Sequence, residues 1–592
     1  MPGSLLEFWV QFFAMKTGDK LGFYLLAIAL MSAACSTGPP VPADTVLHGG
    51  TIVTLDPELP AAEAVAVRDG RVVAVGSDDE VLRFVGPETD QIDLGGRSVV
   101  PGLADNHFHG IGGGSGVSLS AARTLQEVLE AIAARVAVAA PGEIILTNSD
   151  WHEGQLAEQR LPLRDDLDTV APDHPVVVVR GGHEYVLNSA ALRFWEIDES
   201  TPEPEGGRIG SYPDGRLNGE LVDRAKSLAR VRGGGGGDRG GREGGGGRGR
   251  GAAGADVEGS LQALADSHAS LNAVGLTSVR YAGASPALYE QLRELQRRGE
   301  LTVRANVLFR VGSDPDRVAE TLAGWSVGPE DGDEWVRVGG IKLGVDGGFE
   351  GGWMSEPYEE PWGEGGTFYG LQTAPREAYI ATVAELNRHG WRVATHAVGD
   401  AAIDLVLEAY GTADAERPIA GRRWVIEHGF VPRSDQFDRM RELGLLVSAQ
   451  DHLYVAAPSL VRYWGRERAE WVTPVRAYRD AGIRVSSGTD APVIPYNPWW
   501  TLYHFATRDT ISAGVMGADQ AVGREEALRL ATVENAYLTF EEGSKGTLEV
   551  GKLADMIVLA DGFLTVADEA LEDMRVLMTI VGGRIVFRDP DW

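Results

Sequence analysis

The chain carries the stretch Val99-Val100-Pro101-Gly102-Leu103-Ala104-Asp105-Asn106-His107-Phe108-His109, in which an apolar, strand-like run ends in a His-x-His pair. Side chains alternate along a strand, so the imidazoles of His107 and His109 lie on one face. Two neutral imidazoles on one face can begin a divalent metal site, and chemistry in a parallel barrel lies at the carboxyl ends of the strands. On its own, the pair is explained equally well as two polar residues of a loop that follows a strand.

Four more ionisable side chains stand at or near the ends of apolar runs farther along the chain: Lys342, His396, His428 and Asp490. Each has a simpler explanation by itself, as a surface lysine with a buried stem, a hydrogen-bonded core histidine or an aspartate in a turn. All four share a position at or near the end of an apolar run. It is therefore improbable that each of them has a separate, simpler explanation. The six residues converge on one rim if the apolar runs are the strands of a parallel barrel.

Residues 99–540 alternate apolar runs with helical stretches such as 377–389, which favours a parallel α/β fold. About eight such units over this length predict a (β/α)8 barrel of the TIM type. The later runs interpreted as strands are 175–179, 302–308, 336–343, 392–396, 424–428, 445–450 and 484–490. β-rich segments at residues 44–98 and 541–592, with turn signals at Asp69-Gly70 and Gly582-Gly583, predict a small β-sandwich built from both chain ends.

The chain is long and acidic, with 592 residues and a formal net charge of −32. That charge argues against a general nucleic-acid binder, which needs an excess of Lys and Arg. Residues 232–255 form an insertion rich in Gly and Arg, which cannot bury a core and is expected to be a disordered surface loop. RNA binding by its Gly-Arg repeats is the alternative, and the acidity of the whole chain disfavours it.

The first 35 residues have the features of an export signal, because Lys16 and Lys20 precede an apolar core at 21–31 that is short for a membrane span. The segment ends in Ser32-Ala33-Ala34-Cys35, which resembles a bacterial lipobox, and Cys35 is the sole cysteine of the chain. Residues 36–43 follow as a tether. The prediction is an exported protein, periplasmic or at the cell surface, anchored to a bacterial membrane by a lipid on Cys35. An uncleaved signal anchor and a cleaved signal with an incidental cysteine are the alternatives.

Together these residues resemble the amidohydrolase superfamily and, within it, the YtcJ-like group of metal-dependent hydrolases (amidohydrolase family 3). The resemblance extends from about residue 44 to the end of the chain. It is carried by the motifs at 101–109, 182–192, 206–209, 342–347, 395–402, 426–428, 487–493 and 546–555.

The resemblance implies one or two divalent metal ions, most often zinc. The implied ligands are His107, His109 and Asp490 for one ion and His396 and His428 for the other. Lys342 matches a lysine that is N6-carboxylated in many members and bridges two metals. Asp490 matches the catalytic base that then serves as the acid. His183 is a candidate for orienting the substrate, with a structural loop histidine as the alternative.

The predicted activity is hydrolysis of a carbon–nitrogen, non-peptide, amide-like bond of a small molecule by metal-activated hydroxide. A deaminase or esterase reaction at the same metal site and a non-catalytic, ligand-binding lipoprotein are the alternatives; no oligomeric state is predicted. The chain departs from the group at Tyr281, where an acidic residue is usual, in the segment 347–354 and in the Gly- and Arg-rich insertion. These departures are expected to change the substrate pocket without touching the ligands.

Overall fold

A computed structural model of the protein describes residues 40–111, 116–119, 121–149, 151–231, 257–312, 314–360 and 366–592. The export signal, Cys35, residues 36–39 of the tether and the Gly- and Arg-rich insertion lie outside these residues. In the described part of the chain, no helix is both long enough and apolar enough to cross a bilayer.

Eight parallel strands form the centre of the molecule, and each pairs with the next in chain order. They are β1 Leu103–Phe108, β2 Leu276–Ala284, β3 Arg304–Arg310, β4 Val336–Gly344, β5 Val393–Ala397, β6 Val425–His428, β7 Leu446–Gln450 and β8 Arg484–Gly488. Their residues are almost all buried, as expected for strands covered on both faces.

The ring of strands closes where the residues after β8 meet the end of β1. The backbone N–H of Asp490 donates to the carbonyl oxygen of His107 at 2.7 Å, and that of His109 donates to Ala491 at 2.8 Å. Gly488 ends β8 here, and a Cβ atom at this position would lie 2.6 Å from the backbone nitrogen of His107. Glycine therefore permits the close approach that seals the barrel.

Helices pack on the strands of the barrel and on those of the other sheets. Those of the described residues are Asp78–Val81, Leu125–Val136, Arg164–Asp168, Ser189–Phe194, Val257–Ala273, Pro286–Arg298, Pro315–Ala323, Arg376–Arg388, Asp400–Glu416, Phe437–Glu442, His452–Trp464, Arg466–Glu470, Val475–Asp480, Pro498–Thr507, Arg524–Leu530 and Val533–Leu538. Pro286–Arg298 shows how the sequence sets their limits: Ser285 caps its first turn, Pro286 opens it, and Gly299 ends it with a φ of 72°.

Both chain ends build the β-sandwich. Its six-stranded sheet runs in the order Arg584–Arg588, Val576–Val581, Met556–Leu559, Ser98–Pro101, Thr51–Val53, Ala61–Ala62, and its four-stranded sheet in the order Arg71–Gly76, Ala64–Arg68, Thr45–His48, Asp90–Asp93. Arg304 of β3 joins barrel to sandwich through a buried ion pair with Asp555, whose oxygens lie 2.6 and 3.0 Å from the guanidinium. The predicted fold class, a (β/α)8 barrel with a β-sandwich from both ends, is confirmed.

One strand assignment was wrong. The run 175–179 does not belong to the barrel: Val176–Arg180 lies in a separate five-stranded sheet inserted between β1 and β2. That sheet also contains Ile145–Leu146, Glu184–Leu187, Leu217–Asp223 and Gly207–Ser211. The barrel strand in its place is β2, whose sequence has a charged residue, Arg280, among its apolar ones. A continuous valine run predicts a strand buried on both faces but does not reveal which sheet it joins.

Candidate metal centre

The six residues predicted as ligands lie together at the carboxyl-terminal rim of the barrel. They are His107 in β1, His109 directly after β1, Lys342 in β4, His396 in β5, His428 at the end of β6 and Asp490 two residues beyond β8. All are buried except His109, which is half-buried. The strand-end rule, by which ionisable residues at the ends of parallel strands share one rim, therefore located these six residues. Their roles as metal ligands remain predictions.

His107, His109 and Asp490 form the tightest group. Asp490 Oδ1 lies 3.0 Å from His109 Nε2 and 3.4 Å from His107 Nε2. One ligand atom from each residue lies within 4.8 Å of the other two, which is close enough for the three to share one ion. Two imidazoles and a carboxylate are a donor set that divalent transition metals accept.

His396 and His428 complete the rim on the other side. Their ring centroids are 4.5 Å apart, and His428 lies 4.7 Å from His107. Gln450 Oε1 accepts from His428 Nδ1 at 2.6 Å, because the Gln450 amide nitrogen is already committed to Ser448. His428 Nε2 is buried and has no hydrogen-bond partner among the described residues, so it is the nitrogen that would bind a metal. His396 Nε2 contacts the carbonyl oxygen of Gly347 at 3.0 Å, so His396 would bind through Nδ1.

Lys342 enters the centre from β4. Its Nζ lies 3.3 Å from His107 Nε2, and the residue is only 4% exposed. A buried ammonium beside a metal-binding nitrogen is unfavourable, whereas an anionic group at the same place would attract a cation.

The environment shifts the pKa values of three of the rim residues, His107, His428 and Asp490. Burial, followed by the Lys342 ammonium, lowers the pKa of His107, and burial, followed by His396, lowers that of His428 well below its ordinary value. Burial alone would raise the pKa of the Asp490 carboxyl, but His107 and the hydrogen-bonding imidazoles nearby hold it well below the usual range. Neutral imidazoles facing a carboxylate are the form in which these side chains bind metals.

Two of the predicted ligands have a strained backbone. His428 has a φ of 74° and Asp490 a φ of 62°, in the left-handed region that residues other than glycine rarely adopt. Such conformations persist where the surrounding structure holds them, often at functional sites. Here the strain turns both side chains back towards the rim at the point where their strands have ended.

His183, the predicted substrate-orienting residue, also lies at the centre. Its ring stacks on that of His396 with centroids 5.3 Å apart, and its Nδ1 is 2.5 Å from Asp223 Oδ1. Both His183 and Asp223 come from the inserted sheet and its turns, so this sheet forms part of the wall of the site.

Sequence reasoning missed four side chains that support the ligands: Arg280, Glu427, Gln450 and His452. Glu427 Oε2 lies 2.7 Å from His107 Nδ1, and His452 Nε2 lies 3.3 Å from Asp490 Oδ2. Gln450 ends β7 and could have been found by the strand-end rule. Glu427 was visible as a charge inside the apolar run at 424–428.

Two of the departures from the group lie within the described residues, at different positions. Tyr281 faces away from the centre, packs on Phe108 and hydrogen-bonds His268 at 2.9 Å. The segment 347–354, in contrast, reaches the ligands through the contact of Gly347 with His396. The expectation that neither departure touches a ligand is thus wrong for this segment.

Comparison with known proteins agrees with the fold. The sequence profile of the amidohydrolase family matches residues 90–587. The chain belongs to this family, whose members are metal-dependent hydrolases, and it is an enzyme acting on carbon–nitrogen bonds other than peptide bonds, as predicted.

Relatives match along nearly the whole chain. N-substituted formamide deformylase of Arthrobacter pascens is 28% identical over 91% of this chain and 97% of its own length. Putative amidohydrolase YtcJ of Bacillus subtilis is 26% identical over 92% of this chain and 99% of its own. An uncharacterized metal-dependent hydrolase of Pyrococcus horikoshii has the same fold, with a TM-score of 0.63 at 22% identity over 89% of this chain and 99% of its own.

Replacing His428 with alanine should lower the metal content of the purified protein at least about tenfold, because a buried ligand nitrogen is lost. Elemental analysis after removal of loosely bound ions measures this. The matched control is His389→Ala, since His389 is an exposed histidine paired with Glu385 on the outside of the barrel. Equal metal content in the two variants would contradict the assignment of His428.

Proposed function

We propose that the protein uses one or two divalent metal ions, zinc in the first instance, to hydrolyse the amide bond of small N-acyl or N-formyl amines. The observation that carries the proposal is the convergence of three imidazole-bearing strands, Lys342 and Asp490 on one buried rim. His107, His109 and Asp490 would hold one ion and His396 and His428 the other. A bound ion would lower the pKa of a water molecule and polarise the substrate carbonyl group.

Asp490 is the residue to which we assign proton transfer. Oδ1 faces His109 and His107, while Oδ2 faces His452, so the carboxylate is held from both sides. A fixed carboxylate at the rim can accept the proton of the attacking water and deliver it to the leaving nitrogen. His183, whose ring stacks on that of His396, would orient the acyl group of the substrate.

An apolar wall favours a substrate without charge at the reacting bond. The ring of Phe430 lies 5.2 Å from that of His428, and the ring of Phe349 lies 5.2 Å from that of His452. The two phenyl rings pack 5.6 Å apart. Such a wall keeps water from the ligands and contacts apolar substituents. The similarity to N-substituted formamide deformylase supports a formyl or other small acyl group.

The metal-loaded enzyme should release amines from a panel of N-formyl and N-acetyl amines, and a chelator should abolish the activity. Asp490→Asn should reduce kcat at least about 100-fold, because the proton acceptor is lost. Asp509→Asn provides a control, since Asp509 accepts from Tyr503 and contacts none of the six rim residues in the structure. Unchanged activity of Asp490→Asn would contradict the assigned role. Release of ammonia, or cleavage of esters alone, would favour a deaminase or esterase instead.

We also propose that Lys342 is carboxylated on Nζ. The modification would replace a buried ammonium with an anion where a cation is expected, 3.3 Å from His107 Nε2. Metal-loaded protein grown or incubated with 13C-bicarbonate should show a carbamate carbon signal by NMR that disappears in Lys342→Ala. A wild-type spectrum without that signal, in protein whose metal content is stoichiometric, would contradict carboxylation.

The location of the enzyme is likewise a proposal. The apolar core at 21–31 and the position of Cys35 support export and lipid attachment to a bacterial membrane. The full chain, expressed in a bacterium, should be recovered in the membrane fraction, and Cys35→Ser should move it to the soluble exported fraction. Equal fractionation of both proteins would contradict lipid anchoring at Cys35.

A further inference from the structure

A charged pair lies inside the barrel directly beneath the metal centre. Arg280 of β2 and Glu427 of β6 are 1% and 0% exposed, and the guanidinium NH1 lies 2.7 Å from Glu427 Oε1. Arg280 NH1 also donates to the carbonyl oxygen of Asn106 at 2.9 Å. The two strands are not neighbours in the sheet, so the pair crosses the barrel interior.

Stability alone does not account for this pair. The interior of such barrels is ordinarily filled with branched apolar side chains. Replacing a buried ion pair with apolar residues of similar volume is often neutral or stabilising, because burying two charges is costly. A pair retained at this position therefore calls for another reason.

The second oxygen of Glu427 supplies that reason. Glu427 Oε2 lies 2.7 Å from His107 Nδ1. A proton on Nδ1 fixes the tautomer of His107 and leaves Nε2 as the ligand atom, which faces Asp490 Oδ1 at 3.4 Å. Glu427 is itself oriented by Arg280, so the three side chains form a chain from β2 through β6 to β1.

The backbone of β6 allows neighbouring residues to serve the same centre. In a regular strand, Glu427 and His428 would point to opposite faces. The φ of 74° at His428 ends the strand and turns its ring to within 4.7 Å of that of His107. Glu427 therefore supports the proposed ligand His107, while the adjacent residue, His428, is itself a proposed ligand.

We infer that Glu427 is a positioning residue that prepares His107 for metal binding, and that Arg280 holds the Glu427 carboxylate in the required orientation. This inference rests on the proposed metal centre. It adds a function for the Glu of the Ile426-Glu427-His428 motif and for the Arg that β2 carries into the barrel.

The decisive variant replaces both charges, Arg280→Met together with Glu427→Met, so that no unpaired charge remains buried. The thermal midpoint of the metal-free variant should stay near that of the wild type, while its affinity for Zn2+, measured by competition with a chelator, should fall about 10–100-fold. If the wild type binds two ions, the loss should be confined to one of them. Glu427→Gln, which keeps an oxygen acceptor, should lose less affinity and serves if the double variant does not fold.

The matched control removes another buried ion pair, Arg304→Met with Asp555→Leu, which joins the barrel to the sandwich. Its Zn2+ affinity should equal that of the wild type. Unchanged affinity in both Glu427 variants would show that Arg280 and Glu427 are only structural and would overturn this inference alone. A wild-type protein that takes up no divalent metal would overturn the proposed function and this inference with it.

Discussion

The junction between β1 and the residues after β8 is the constraint on which the site depends. Asp105 accepts hydrogen bonds from the backbone N–H groups of His107 and Thr489, both at 3.0 Å, and from the Thr489 hydroxyl at 2.5 Å. Burial raises the pKa of Asp105 to about 7, against the effect of these hydrogen bonds. The same contacts that close the barrel bring Asp490 to His107 and His109. The contacts that close the barrel therefore also bring together the first proposed metal-binding group.

Burying several ionisable groups at one rim costs free energy, and the surrounding contacts reduce that cost. Burial lowers the pKa of His107 and of His428, which favours their neutral forms and so reduces the cost of burying them. One nitrogen of each of three imidazoles has a partner: Gln450 fixes His428, Gly347 fixes His396, and Glu427 fixes His107. His428 Nε2 is buried without a hydrogen-bond partner among the described residues. A divalent cation held by His396 and His428, as proposed, would give this nitrogen a partner.

The sequence predicted the residues of the rim better than the side chains that support them. Strand periodicity shows which side chains end a strand, and parallel strands bring those ends together, so His107, His396 and Asp490 could be grouped in advance. Periodicity does not show which strands face each other across a barrel, so the link from Arg280 to Glu427 was invisible. For the same reason the valine run at 175–179 was placed in the wrong sheet. The contact of Gly347 with His396 depends on the path of a loop, which no local pattern fixes.

Diffraction data from metal-loaded crystals, collected on both sides of the absorption edge of the bound metal, test the central claim most directly. The account predicts anomalous density about 2.0–2.2 Å from His107 Nε2 and from a carboxylate oxygen of Asp490. If a second ion is bound, its density should lie at His396 Nδ1 and His428 Nε2. Anomalous density confined to other parts of the molecule, in crystals of active enzyme, would contradict the proposed metal centre.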